Sequence, residues 1–148
     1  MNFRGSTGYG FDFMKAGLGQ WGGQMQEDVE DATYWAINEG IADPNRICIV
    51  GGSYGGYAAL MGAATSDLYQ CAVSFAGVSD LLLLLDGGRR YGGEETLRIM
   101  LGDKSRTELK EVSPVNLADQ IKIPVLLVQG EDDSRVLLKH GEDMRDAM

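Results

Sequence analysis

Histidine is almost missing from this chain, with a single copy, His140, among 148 residues. A nucleophile that needs an imidazole partner must use that residue or find its base elsewhere. Positive charge is also scarce. Thirteen Lys and Arg face 22 Asp and Glu, for a formal charge of -9, and no basic stripe stands out. Nucleic acid and anionic membrane are therefore excluded as partners, since both are bound through clustered cations. Long apolar runs are absent. The longest run of one residue, Leu81 to Leu85, is far too short to span a bilayer. No charged leader followed by an apolar stretch opens the chain, so no signal peptide is expected and a soluble, cytoplasmic protein is. Cysteine occurs twice, at Cys48 and Cys71, each inside a short apolar run. Two reduced, packed thiols are expected there rather than a disulfide.

Glycine is plentiful, at 21 residues, roughly twice its usual share. It gathers in discrete clusters, which points to tight turns near functional loops rather than to low complexity. Residues 24–38 place Met25, Val29, Ala32 and Ala36 at helical spacing, with Glu27, Asp28, Glu30 and Asp31 toward the amino end. Acids there suit the helix dipole. Gly40 and the turn at 42–46 then lead into "ICIV", a strand candidate. "YAALMGAA" reads as a helix, while "CAVSFAGV" and "IPVLLVQG" read as two further buried strands. Unbroken apolar strands separated by helical stretches mark an α/β protein whose parallel sheet is covered on both faces. Between Leu81 and Leu117 the pattern weakens. A loop is expected over "DGGRRYGGEE", a short helix over "TLRIMLGD" and irregular structure around them. About three strands result, fewer than the 5 to 6 usual in a sheet, as though part of the sheet were missing.

The segment "GGSYGG" sits between the first strand and the helix after it. Gly51, Ser53 and Gly55 satisfy the GxSxG pattern in the context that gives it meaning. A strained strand-to-helix turn lifts a serine hydroxyl clear of the sheet. Small neighbours avoid clashes, and the helix amino terminus aims its amides at developing negative charge. Tyr54 would supply one such amide. A dinucleotide fingerprint fails here because Ser53 stands where that pattern requires glycine. After the third strand comes "GEDDSRV", and the acid of a hydrolase triad belongs on such a loop. Asp133 occupies that place, although without Ser53 upstream the cluster would read as a solvated loop.

The blocks "NFRGSTGYG", "GQWGGQMQEDVEDATYWAINEG", "DPNRICIVGGSYGGYAAL", "CAVSFAGVSDL", "SPVNLADQIKIPVLLVQGEDDSRV" and "HGEDMRDAM" resemble, in order and over nearly the whole chain, the catalytic domain of the prolyl oligopeptidase family. That resemblance implies an α/β-hydrolase fold with Ser53 as nucleophile, Asp133 as triad acid and Tyr54 as an oxyanion donor. It places Val78, Leu81, Leu84 and Val136 at the pocket for the side chain before the scissile bond. Arg135 falls where some members hold a substrate carbonyl. Taken alone, these apolar residues suit core packing equally well, and Arg135 suits a solvated surface. Gln129 departs from the histidine often found before this glycine. The leucines around Leu81, where some members carry aromatics, argue against strict proline preference.

His140 lies seven positions beyond Asp133, at the start of an amphipathic helical stretch, and is expected as an exposed helix residue rather than the base. The resemblance places the base one strand further on. Residues 1–148 are accordingly expected to be a partial catalytic domain, cut at both ends, without the upstream propeller, the second oxyanion donor or the histidine segment. The activity implied is hydrolysis of short peptides through an acyl-enzyme on Ser53, with no metal or organic cofactor. The isolated chain is expected to be nearly inactive, and its exposed sheet edges to favour self-association. An esterase with the same elbow, or a non-catalytic truncated homologue that binds peptides or a partner subunit, are the alternatives.

Overall fold

The structure, a computed structural model, describes residues 1–88 and 93–148 in full and the backbone alone of residues 89–91. The described elements are α1 (Phe11–Lys15), α2 (Gln24–Asn38), β1 (Cys48–Gly52), α3 (Tyr54–Thr65), β2 (Cys71–Phe75), α4 (Leu81–Tyr91), α5 (Glu94–Leu101) and α6 (Arg106–Glu111). A 3-10 helix (Pro114–Gln120), β3 (Val125–Val128) and α7 (Leu138–Ala147) complete them. The three strands form one parallel sheet in the order β1-β2-β3, so the strand-helix-strand reading of the sequence is borne out.

Side chains alternate across a strand, and only one face of this sheet is covered among the described residues. Ile49 and Ala72 pack against Ala59 and Ala63 of α3, a helix so rich in alanine and glycine that it lies close to the strands. Met144 of α7 joins Leu60, Val125 and Leu127 on the same side. The opposite face carries Val50, Phe75, Leu126 and Val128, all exposed. The sheet covered on both faces that the apolar runs implied is therefore not found within these residues.

The same alternation corrects the reading of the cysteines. Cys48 and Cys71 are directly opposed in register and share the open face. They are joined as a disulfide with their Cα atoms 4.6 Å apart, and Cys48 is exposed. An apolar run predicts a strand, but does not say which of its faces is covered.

The stretch read as irregular is mostly helical. α4 runs through residues 81–91, α5 takes the expected short helix, and α6 begins with a capping box in which Ser105 and Glu108 exchange hydrogen bonds. Leu81, Leu82, Leu84 and Leu85 bury one side of α4, which outweighs the glycines that announced a loop. Gly92, within that stretch, lies outside the described residues. At the amino end, Arg4 grips Asp28 of α2 through its backbone N–H, Nε and Nη2, and Asp28 is held below the ordinary carboxylate range by that guanidinium hydrogen bond. This contact brings Phe3 and Trp21 against the start of α3.

Candidate active site

Ser53 stands exposed between β1 and α3. Its φ of 55° and ψ of -117° lie in a region that non-glycine residues avoid, and the surroundings hold it there. The Ser53 N–H donates to the Phe75 carbonyl at 2.9 Å, and the Ser53 carbonyl accepts from Tyr57 N–H at 3.1 Å. Strain kept at such a point is stabilised by the packing around it.

The neighbouring glycines let backbone meet backbone. A Cβ on Gly51 would fall 2.7 Å from Gly55 Cα and closer still to its carbonyl, and one on Gly56 would come within 2.6 Å of Gly77 Cα. A Cβ on Gly55 would meet nothing within 4 Å. The turn is thus closed on the Gly51 side and open on the Gly55 side. Tyr54 N–H is the first of α3 and has no acceptor within the helix.

Ser53 opens into a cleft of about 520 Å³ bounded by Trp21, Tyr54, Val78, Leu84, Val136 and the α5 side chains Leu97 and Met100. Tyr54 packs edge-on against Trp21, with ring centroids 4.5 Å apart, and against Phe3 at 5.1 Å. Burial pushes the phenols of Tyr54 and Tyr57 far above their usual range. Both are neutral at any ordinary pH. Tyr57 donates to the Val112 carbonyl at 2.9 Å, whereas the buried Tyr54 hydroxyl has no partner among the described residues.

Of the pocket residues expected from the sequence, Val78, Leu84 and Val136 line the cleft, and Arg135 sits exposed at its edge. Leu81 does not line it: that side chain is wholly buried behind, in the core with Val78 and Leu84. Asp133 lies on the loop after β3, where its Oδ1 accepts from the N–H groups of Arg135 and Val136, each at 2.9 Å. That local turn aims residues 134–136 at the cleft. Sequence reasoning missed Trp21, Leu97 and Met100. The i, i+3 spacing of Leu97 and Met100 placed them on one helix face, but nothing said what that face met.

His140 is buried, at 1% exposure, which corrects the exposed position expected for it. It shares the inner face of α7 with Met144, four residues on. Its Nδ1 lies 3.3 Å from Ser79 N and 3.4 Å from Asp80 N, and it is not among the residues lining the cleft. Burial pushes the imidazole down to about 4, despite the opposing pull of the Asp80, Asp143 and Asp133 carboxylates.

Among the described residues no group of three or more His, Cys, Asp or Glu side chains is placed to hold a metal ion, and no helix is long and apolar enough to cross a membrane.

Residues 1–148 match the profile of the Prolyl oligopeptidase family. Dipeptidyl aminopeptidase BIII of Pseudoxanthomonas mexicana is 43% identical, covering 100% of this chain and 22% of its own length. The acylamino-acid-releasing enzyme of Arabidopsis thaliana is 30% identical over 95% of this chain and 20% of its own. A puromycin-hydrolysing peptidase of Mycobacterium tuberculosis superposes with a TM-score of 0.91 at 34% identity, over 99% of this chain and 22% of its own. An acylaminoacyl peptidase in complex with Z-Gly-Gly-Phe-chloromethyl ketone gives 0.89 at 29% identity, over 99% and 24%. The chain spans about a fifth of the length of the curated relatives it matches. The fold is that of an α/β-hydrolase domain.

Proposed function

Because the chain belongs to the prolyl oligopeptidase family, we propose that it contributes the nucleophile, the acid and the side-chain pocket of a serine peptidase acting on short peptides. The observation that carries this reading is Ser53, held at positive φ at the head of α3 and open to an apolar cleft. Its hydroxyl would attack the scissile carbonyl, and the Tyr54 amide would receive the oxyanion. The proton that the Ser53 hydroxyl gives to the general base passes to the leaving amine as the C–N bond breaks, leaving an acyl-enzyme that water hydrolyses. Asp133 is proposed as the carboxylate that orients the imidazole, and Arg135 as the donor to a substrate carbonyl. Val78, Leu84, Val136, Trp21 and Leu97 suit a large apolar side chain before the scissile bond. The relative in complex with a phenylalanine chloromethyl ketone supports that choice.

The general base is not assigned to His140, whose ring addresses Ser79 and Asp80 rather than the cleft. Hydrolysis by the 148-residue chain alone is therefore expected to be slow, since triad members act as a unit. Added imidazole supplies a base from solution. Release of p-nitroaniline from N-acetylphenylalanine p-nitroanilide is expected to rise with imidazole concentration beyond the buffer reaction, and Ser53→Ala to remove that increment. An increment that survives Ser53→Ala would contradict the assignment.

A further inference from the structure

His140 meets the beginning of α4, where every amide from Ser79 to Leu83 has a side-chain acceptor. Asp80 Oδ1 caps Leu82 and Leu83 at 2.7 and 3.2 Å, and Ser113 Oγ, from the segment after α6, accepts from Leu81 N–H at 3.0 Å. The two amides before these, of Ser79 and Asp80, both point at His140 Nδ1. A second bond reverses the direction. Ser79 Oγ donates to the His140 carbonyl at 2.8 Å, so α7 and the α4 entrance are tied through both backbone and ring.

Two N–H donors facing one ring nitrogen require it to be an acceptor. Nδ1 must be bare, and the neutral imidazole carries its proton on Nε2. What this joint holds in place borders the cleft: Val78 immediately precedes it, and Leu84 lies one turn into α4. The next residue of α7, Gly141, lies against Gln129, which in turn donates from Nε2 to the Val136 carbonyl at 2.6 Å. One helix therefore braces two sides of the cleft.

We infer that His140 is a positioning residue, whose neutral ring, accepting at Nδ1, fixes the turn at Ser79 and Asp80 and so holds Val78 and Leu84 as a wall of the cleft beside Ser53. The inference rests on reading that cleft as the site of an apolar substrate side chain. Protonation would put a donor on Nδ1 against two donors and break the joint. The groups that bear on the ring's charge are the carboxylates of Asp80 at the α4 entrance, Asp143 on α7 itself and Asp133 on the loop after β3.

The sole histidine gives one pair of ring nitrogen resonances, so the tautomer of the unsubstituted chain can be read directly by 15N NMR. At pH 7 the expected signature is an unprotonated Nδ1 and a protonated Nε2, with slow exchange of the Ser79 and Asp80 amides. In a Trp35→Phe background, Trp21 fluorescence reports binding of N-acetylphenylalaninamide in the cleft. His140→Leu is expected to speed exchange of both amides and to weaken this binding by about tenfold or more. His140→Asn, whose Oδ1 can take the place of Nδ1, is expected to restore both to within about threefold. A protonated Nδ1 at pH 7, or a folded His140→Leu variant with undiminished affinity, would overturn the inference. If His140→Leu does not fold, the tautomer and the His140→Asn variant decide. Failure of the unsubstituted chain to bind the amide, with tautomer and exchange as expected, would overturn the reading of the cleft and the wall's role with it, while leaving the joint itself established.

Discussion

Gly51→Ala is expected to destabilise the chain by about 3 kcal/mol or more, whereas Gly55→Ala is expected to be neutral or stabilising by up to about 1 kcal/mol. Both glycines belong to the same short pattern, and sequence alone gives no reason to separate them. The geometry does. A methyl on Gly51 would be driven into the backbone of Gly55, and backbone cannot swing aside as a long side chain can. A methyl on Gly55 enters open space at the first turn of α3, where alanine loses less chain entropy than glycine. Urea unfolding followed by far-UV circular dichroism measures both differences. Equal losses for the two variants would mean that the turn is not closed in the way described.

Acid is expected to weaken the fold through one identifiable group. His140 takes up its proton only near pH 4 when folded, against 6.5 for a free imidazole. Between those values the unfolded chain binds more protons than the native one, so stability falls as pH is lowered through this window and is unaffected by this group above it. The full loss is about 3 kcal/mol for a shift of this size. His140→Asn cannot titrate, so its urea midpoint should fall less between pH 7 and pH 4.5 than that of the unsubstituted chain. The carboxylates titrate in both proteins, and the difference between the two slopes isolates the imidazole. Parallel slopes would place the ring in water rather than in the core.

Local signals carried the centre of the molecule. The acid-first helix of residues 24–38, the β-branched run into Gly51 and the small-residue helix after Ser53 each announce themselves within a few residues. The features that were not legible depend on what lies across the fold. The pairing of Cys48 with Cys71 follows from a parallel register and a shared face, and neither is written in the apolar run around each cysteine. The glycines of α4 resemble a loop until the buried face of Leu81, Leu82, Leu84 and Leu85 is seen to anchor a helix. His140 sits among charged neighbours, and only its spacing to Met144 hinted that it faces inward. Trp21 reaches the cleft through the Arg4 and Asp28 contact and the ring packing around Tyr54, a meeting of segments far apart in the chain.

The claim on which the functional reading stands is that Ser53 is the nucleophile, and a fluorophosphonate probe addresses it without requiring deacylation, with added imidazole supplying the base for the attack. Intact-mass measurement followed by peptide mapping should find one adduct, on the peptide containing Ser53, and none in Ser53→Ala. An adduct on another serine, or labelling of Ser53→Ala equal to that of the unsubstituted chain, would contradict the account.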